Sequence, residues 1–199
     1  MKTFLHVGCG SARKDGTTKG FNTSGWNELR LDIDERVNPD IVGTMLDMPD
    51  VGDASVDAVF SSQNIEHLYP HEVPFALAEF RRVLNDDGFV IIACPDLQSV
   101  CALIVEDKLT EAAYISPAGP IAPLDMLYGH RLPMAQGNLY MAHRCGFTQK
   151  ALTELLHGAG FVTVACTRRG HPYYDLRAVA TKAAMSESDM RALAAAHFQ

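Results

Sequence analysis

The sequence predicts an α/β fold built on a doubly wound, mostly parallel sheet of seven strands. Three observations predict it. Short apolar, β-prone runs recur along the whole 199-residue chain, helical apolar spacing appears between some of them, and strand after strand ends in glycine or polar residues. Open parallel sheets bind their ligands at such strand ends.

The first strand is Phe4-Leu5-His6-Val7, which stops abruptly at the tight loop Gly8-Cys9-Gly10-Ser11-Ala12. Residues 11–25 are rich in Gly, Thr, Ser, Asn and Lys and lack a helical period, so a loop or at most one irregular turn is expected there. Residues 27–32 alternate Leu29 and Leu31 with polar residues and end in Asp32-Ile33-Asp34, a second strand with carboxylates at its tip. Residues 41–46 make a third strand, running into Asp47-Met48-Pro49, and residues 56–61 a fourth, followed by Ser61-Ser62-Gln63-Asn64 and Glu66-His67.

Val73, Leu77, Phe80 and Leu84 fall at helical spacing, and Asn85-Asp86-Asp87-Gly88 stops the pattern. The continuous apolar run of residues 89–94 suits a central strand covered on both faces, and Pro95-Asp96 ends it. A helix capped by Thr148 and stopped by Gly160 follows, then strands at 162–166 and 176–181 and an Ala-rich helix after Ser186. Residues 97–146 fit none of this, being far longer than a plain crossover needs. They read as an inserted cap within a single domain spanning 1–199, with residues 98–114 of helical character and residues 117–146 without a period.

Composition narrows the function. Hydrophobic residues at 47% and charged residues at 21% suit a folded water-soluble chain, and no apolar run is long enough for a membrane span. Seventeen basic against twenty-four acidic residues, with no basic cluster, argue against nucleic acid as a partner. The five cysteines form no CxxC pair, which predicts free buried thiols rather than a disulfide framework or a zinc site. The first five residues lack the character of a signal peptide, so a cytoplasmic protein is expected.

Glycines at the end of a first strand let backbone approach a ligand closely, and a carboxylate at the end of the second can accept both hydroxyls of a ribose. Gly8, Gly10 and Asp32 supply these features. Neither a full GxGxxG fingerprint nor a phosphate-binding GKS or GKT loop occurs, so the cofactor need not carry a pyrophosphate.

The series Leu5-His6-Val7-Gly8-Cys9-Gly10, Leu31-Asp32-Ile33-Asp34, Thr44-Met45-Leu46-Asp47-Met48-Pro49, Asp57-Ala58-Val59-Phe60-Ser61-Ser62 and Arg81-Arg82-Val83-Leu84-Asn85-Asp86-Asp87-Gly88 resembles the class I S-adenosylmethionine-dependent methyltransferases, in their small-molecule branch. The resemblance runs over residues 4–96 and 147–181. It implies a Rossmann-like methyltransferase fold and methyl transfer from S-adenosylmethionine to a small-molecule acceptor, leaving S-adenosylhomocysteine. It further implies that Gly8, Cys9 and Gly10 pass the amino acid end of the cofactor, that Asp32 holds the ribose hydroxyls, that Asp47 and the Met48 backbone meet the adenine, that Ser62 and Gln63 lie below the sulfonium, and that Ile33 also belongs to the cofactor site. Asp34 remains a rival to Asp32. The sequence departs from the family in placing His6 where an acidic residue is common and in replacing the helix after the glycine loop with an irregular segment.

His67 is the leading general-base candidate, against a plain capping or packing role, because it follows the fourth strand beside Glu66. The insert offers Tyr128, His130, Arg131, Tyr140 and His143 as acceptor-binding residues, a mixture that equally suits a homodimer interface. Arg131 and Arg144 can bind an acceptor anion or simply pair with Asp125 and Glu106. No metal is expected, since His130 and His143 lack tight ligand spacing. Two other readings stay open: a cofactor-binding sensor or partner subunit without catalysis, and a nicotinamide-dependent oxidoreductase, disfavoured by the missing fingerprint and the lack of a Tyr-x-x-x-Lys pair.

Overall fold

The computed structural model describes residues 1–198. Five strands form the first half of the sheet: β1 (Lys2–Val7), β2 (Trp26–Asp32), β3 (Ile41–Val42), β4 (Val56–Ser62) and, after helix α1 (Val73–Val83), β5 (Leu84–Pro95). Then come α2 (Leu97–Val105), a hairpin of β6 (Tyr114–Ser116) and β7 (Gly119–Ile121), and short helices α3 (Pro123–Tyr128) and α4 (Arg131–Ala135). The chain ends with α5 (Gln149–Gly158), β8 (Thr163–Arg169), β9 (Asp175–Thr181) and α6 (Glu187–His197).

The sheet has seven strands in the order β3-β2-β1-β4-β5-β9-β8, and only β9 runs against its neighbours. The predicted α/β class, strand count and mostly parallel arrangement are therefore observed. The tips of β1, β2 and β4 come out at one edge, where the polar residues that end them converge.

The pleat sends alternate residues of β1 to opposite faces. Leu5 and Val7 join Leu31, Val59, Val90 and Ile92 in a core covered by Leu77 and Phe80 of α1 and by Leu152 and Leu156 of α5. Phe4 joins Ala58, Phe60, Phe89, Ile91 and Val179 on the other face. That face lacks a helix between β1 and β2, and the loop expected over residues 11–25 holds no helix beyond the single 3-10 turn Lys14–Gly16. Phe21 fills the gap, fully buried and stacked on Phe4 at 4.2 Å, while α6 closes over it with Met190. His197, at the end of α6, places Nδ1 2.6 Å from Thr18 Oγ1, and Gly20 N donates to the Ala196 carbonyl at 3.0 Å. The C-terminal helix thus backs the irregular segment from behind.

Three expected elements differ. The third strand holds only Ile41–Val42, because Gly43 turns the chain and Thr44 bridges back to Asp47, so no partner remains to extend an edge strand. β5 begins earlier than residue 89, since Leu84 pairs with Val56 before the ladder slips and resumes at Ala58 and Phe89. The helix expected over 98–114 stops at Val105, where Asp107 adopts φ +62°, and Tyr114 belongs to the hairpin instead. Among the described residues no helix is long and apolar enough to cross a membrane.

Candidate active site

A cavity of about 420 Å³ opens beyond the tips of β1, β2 and β4. Val7, Gly8 and Gly10 form its floor, Asp32, Ile33 and Asp34 one side, Gly43 to Leu46 a second, and Gln63, Asn64 and His67 a third, while Asn138, Tyr140, Met141 and Arg144 close it from the segment after β5. Its volume lies within the range of nucleoside-sized sites.

The glycine loop is shaped by what surrounds it. Gly8 has φ +66°, and a Cβ there would lie 2.2 Å from the Asn64 side chain, so only glycine fits. Gly10 has φ +51° with open space where a Cβ would point. Gly8 N donates to the Leu31 carbonyl at 2.9 Å and Gly10 N to Asp32 Oδ2 at 2.7 Å, while Asp34 N donates to Asp32 Oδ1 at 2.9 Å. Asp32 is thus a buried carboxylate that clamps the loop and still borders the cavity. Asp34 is committed elsewhere: Arg36 meets it through two nitrogens at 2.8 Å, and these bonds hold its carboxyl below the usual range.

Two residues that the sequence reading passed over complete the loop. Arg30 is fully buried and donates to the carbonyls of Gly10 (2.5 Å), Asn38 (2.7 Å) and Ala12 (3.2 Å). Glu28 accepts from His6 Nδ1 at 2.7 Å and from Lys14 N at 2.9 Å. An acid from β2 therefore stands beside His6. Burial lowers the His6 pKa, opposed by the bond and charge of Glu28. A charged residue between Leu29 and Leu31 in a predicted strand was the available signal.

Not every residue expected at the cofactor reaches the cavity. Cys9 is buried beneath the loop, where burial pushes its thiol up to about 11, and it does not line the space. Met48 is also buried and its N–H is committed to Glu79 Oε2 at 2.7 Å, while Asp47 is exposed outside the lining; Gly43, Thr44, Met45 and Leu46 stand in that wall instead. Ser62 lies outside the lining, whereas Gln63 borders it with φ +52°, held by its N–H bond to Ala93 O at 2.8 Å.

A second cavity of about 130 Å³ adjoins the first through the shared walls Gln63, His67 and Met141. Pro95, Tyr114, Ile121, Asp125, Met126, His130, His143, Tyr173, Tyr174 and Asp175 enclose the rest. Of the residues expected at the acceptor, His130 and His143 lie here and Tyr140 lies in the larger cavity. Tyr128 is mostly exposed and outside both linings, and Arg131 forks onto Asp125 (2.6 and 3.0 Å) instead of facing a ligand. Arg144 borders the larger cavity, with its guanidinium 4.8 Å above the Tyr69 ring and Nη1 on the His67 carbonyl.

His67 sits where the two cavities meet. Its Nδ1 lies 3.1 Å from the Ala142 carbonyl, which can only accept, so Nδ1 carries the proton and Nε2 the lone pair of the neutral ring. Burial lowers its pKa, against the pull of the Ala142 and Gln63 carbonyls and with a small push from Arg144. Burial likewise holds the Cys145 and Cys166 thiols near 11, so neither is a ready nucleophile at neutral pH.

The sheet order, the glycine loop at the tip of β1 and the acid at the tip of β2 define the class I S-adenosylmethionine-dependent methyltransferase fold. Residues 5–92 match the family described as a methyltransferase domain, and S-adenosylmethionine is the cofactor that this likeness supports. No curated protein sequence matches the chain. Among solved structures, it is similar to Burkholderia thailandensis 1,6-didemethyltoxoflavin-N1-methyltransferase, solved with 1,6-didemethyltoxoflavin and S-adenosylhomocysteine (19% identity, 92% of this chain and 72% of that one, TM-score 0.59). A Thermotoga maritima S-adenosylmethionine-dependent methyltransferase matches at 16% identity over 92% and 83% of the two chains, TM-score 0.59. A chain from the Haloferax volcanii complex of a methyltransferase with its Trm112 activator matches at 15% over 92% and 83%, TM-score 0.54. At these identities the structural likeness concerns the fold.

Proposed function

We propose that this chain transfers the methyl group of S-adenosylmethionine to a small-molecule acceptor held in the cavity between His67 and His143. The observation that carries this reading is the pair of adjoining cavities, one nucleoside-sized and one of about 130 Å³, sharing Gln63, His67 and Met141. A space of about that size accommodates a single small ring. When bound, the cofactor supplies an electrophilic methyl group on a sulfonium.

The chain's own residues divide the work. Gly8 and Gly10 give the backbone close access to the amino acid end, Asp32 accepts from the ribose hydroxyls, Ile33 packs beside them, and residues 43–46 receive the adenine in place of the Asp47 and Met48 backbone. Gln63 stands where the two cavities join, the place for the reacting methyl. In-line displacement asks mainly for positioning and exclusion of water, which residues 97–146 provide by closing the site as a cap. Where the acceptor must lose a proton, His67 Nε2 takes it.

The test has two stages. Calorimetric titration with S-adenosylhomocysteine should show micromolar binding, weakened at least tenfold in Asp32→Ala; no binding by the intact chain overturns the cofactor site. Methyl-tritiated cofactor and a cell extract, separated by size after incubation, should then place enzyme-dependent label in the low-mass fraction. Label confined to protein or nucleic acid would overturn the acceptor class. Cofactor binding with no transfer to any fraction would leave the non-catalytic sensor.

A further inference from the structure

Glu66 lies in the single turn Ile65–His67 just after β4, and its carboxyl group is buried with neither oxygen in a hydrogen bond of normal geometry. The residue is 1% exposed. Burial pushes its pKa up to about 8, eased only by main-chain N–H groups of Glu66 and Asn64, with no cationic side chain opposing. A carboxyl group without a partner costs several kcal/mol in such surroundings unless it is neutral or meets a cation.

Two imidazoles converge on it. One potential ligand atom each from Glu66, His67 and His143 lie within 4.8 Å of one another. His143 Nδ1 donates to the Met126 carbonyl at 2.9 Å, as His67 Nδ1 does to Ala142, so each neutral ring keeps its lone pair on Nε2. Histidines that bind metal are oriented in this way, with the second nitrogen bonded to a carbonyl or carboxylate. The ring centres are 5.0 Å apart. Ligand atoms around a tetrahedral ion at ~2.1 Å stand ~3.4 Å from each other, so closure needs a contraction of at most ~1.4 Å.

The geometry points to a binding site for a divalent transition-metal ion formed by Glu66, His67 and His143, with its free coordination positions facing the smaller cavity. Two imidazoles and one carboxylate are a ligand set of zinc and of other first-row divalent ions. His67 and His143 both border that cavity, which is the route in. The ion would fasten residues 126–145 to the turn after β4, where Arg144 N and Cys145 N already donate to the Glu66 carbonyl at 2.8 and 3.2 Å. With an ion bound, His67 Nε2 is a ligand and not a free base; the methyl-transfer reading and the metal site can therefore fail separately.

The experiment uses the full chain, stripped with chelator and titrated with Zn²⁺ by calorimetry and with Co²⁺ by visible absorption. Expected are one ion per chain, intense Co²⁺ bands of low coordination number, and affinity at least tenfold weaker in Glu66→Gln and in His143→Asn, with His157→Ala, on the exposed side of α5, unchanged. S-adenosylhomocysteine binding in each variant shows that the fold survives. Should a variant fail to fold, the ring NMR signals of His67 and His143 in the intact chain should be the histidine signals that Zn²⁺ moves. Absence of stoichiometric binding by the intact chain, equal binding in both variants, or Zn²⁺ shifts confined to other histidines would overturn the site.

Discussion

The two sides of the larger cavity are held in different ways. On the β1 and β2 side the loop's main chain is tied down: Gly8 N to Leu31, Gly10 N to Asp32, and the carbonyls of Gly10 and Ala12 to the buried Arg30. Residues 97–146, opposite, have a small core of their own in Val100, Ile121 and Met126 with a few half-buried neighbours, and meet the turn after β4 through the two amides on the Glu66 carbonyl, Arg144 on the His67 carbonyl and His67 on that of Ala142. Leu132, Leu139 and Tyr140 are all more than half exposed. Local stability follows buried contacts, so the first side forms a fixed template and the second the more yielding wall.

Gly8→Ala breaks the template most severely. The new methyl group overlaps Asn64 and forces a non-glycine residue into the left-handed region. The combined strain and overlap cost roughly 2–4 kcal/mol, a Tm drop of about 5–10 °C. Because Asn64 also borders the cavity, S-adenosylhomocysteine affinity should fall more than tenfold in the same variant. A variant of unchanged Tm and affinity would mean that the loop is as pliant as the segment facing it.

A smaller effect tests the support behind the template. Burial lowers the His197 pKa to about 4 from its ordinary 6.5, so the folded chain holds this ring neutral among Phe21, Phe89 and Thr18. The unfolded chain takes up the proton first as pH falls, and stability present above pH 6.5 is lost progressively toward pH 4. At pH 5 the loss is about 1–2 kcal/mol. Urea unfolding of the intact chain and His197→Asn at pH 5 and 8 isolates this contribution from the other buried histidines. An equal pH dependence in both proteins would show that α6 does not hold residues 18–20 through this ring.

The same division explains what could be read in advance. The first side is made of local signals, since a glycine loop, a strand-end acid and apolar runs each occupy a few consecutive residues, and Gly8, Gly10, Asp32 and Gln63, expected at the cofactor, border the cavity. Its supports were hidden because they join residues far apart in the chain: Arg30 with Gly10, Thr18 with His197, Glu79 with the Met48 amide. That last bond commits the Met48 amide expected at the adenine, and Gly43 to Leu46 line the cavity instead. Residues 97–146 have no periodic signal, and residue type alone could not separate Arg131, which Asp125 holds, from Arg144, which borders the cavity. Nor could spacing reveal Glu66 and His143 as neighbours, since the main-chain bonds at the Glu66 carbonyl create that contact.

Tyr140→Ala sharpens the contrast from the yielding side. The side chain borders the larger cavity yet is 56% exposed, so its removal costs little packing. Stability should stay within ~0.5 kcal/mol of the intact chain, as for surface substitutions in general. S-adenosylhomocysteine affinity should fall two- to fivefold, about 0.4–1 kcal/mol, because the closing wall loses one aromatic contact while the template keeps its bonds. Paired calorimetric and thermal measurements separate the outcomes. A fall in affinity at constant Tm assigns Tyr140 to ligand closure, and a Tm loss comparable to that of Gly8→Ala would show that residues 97–146 are as firmly integrated as the strand tips they face.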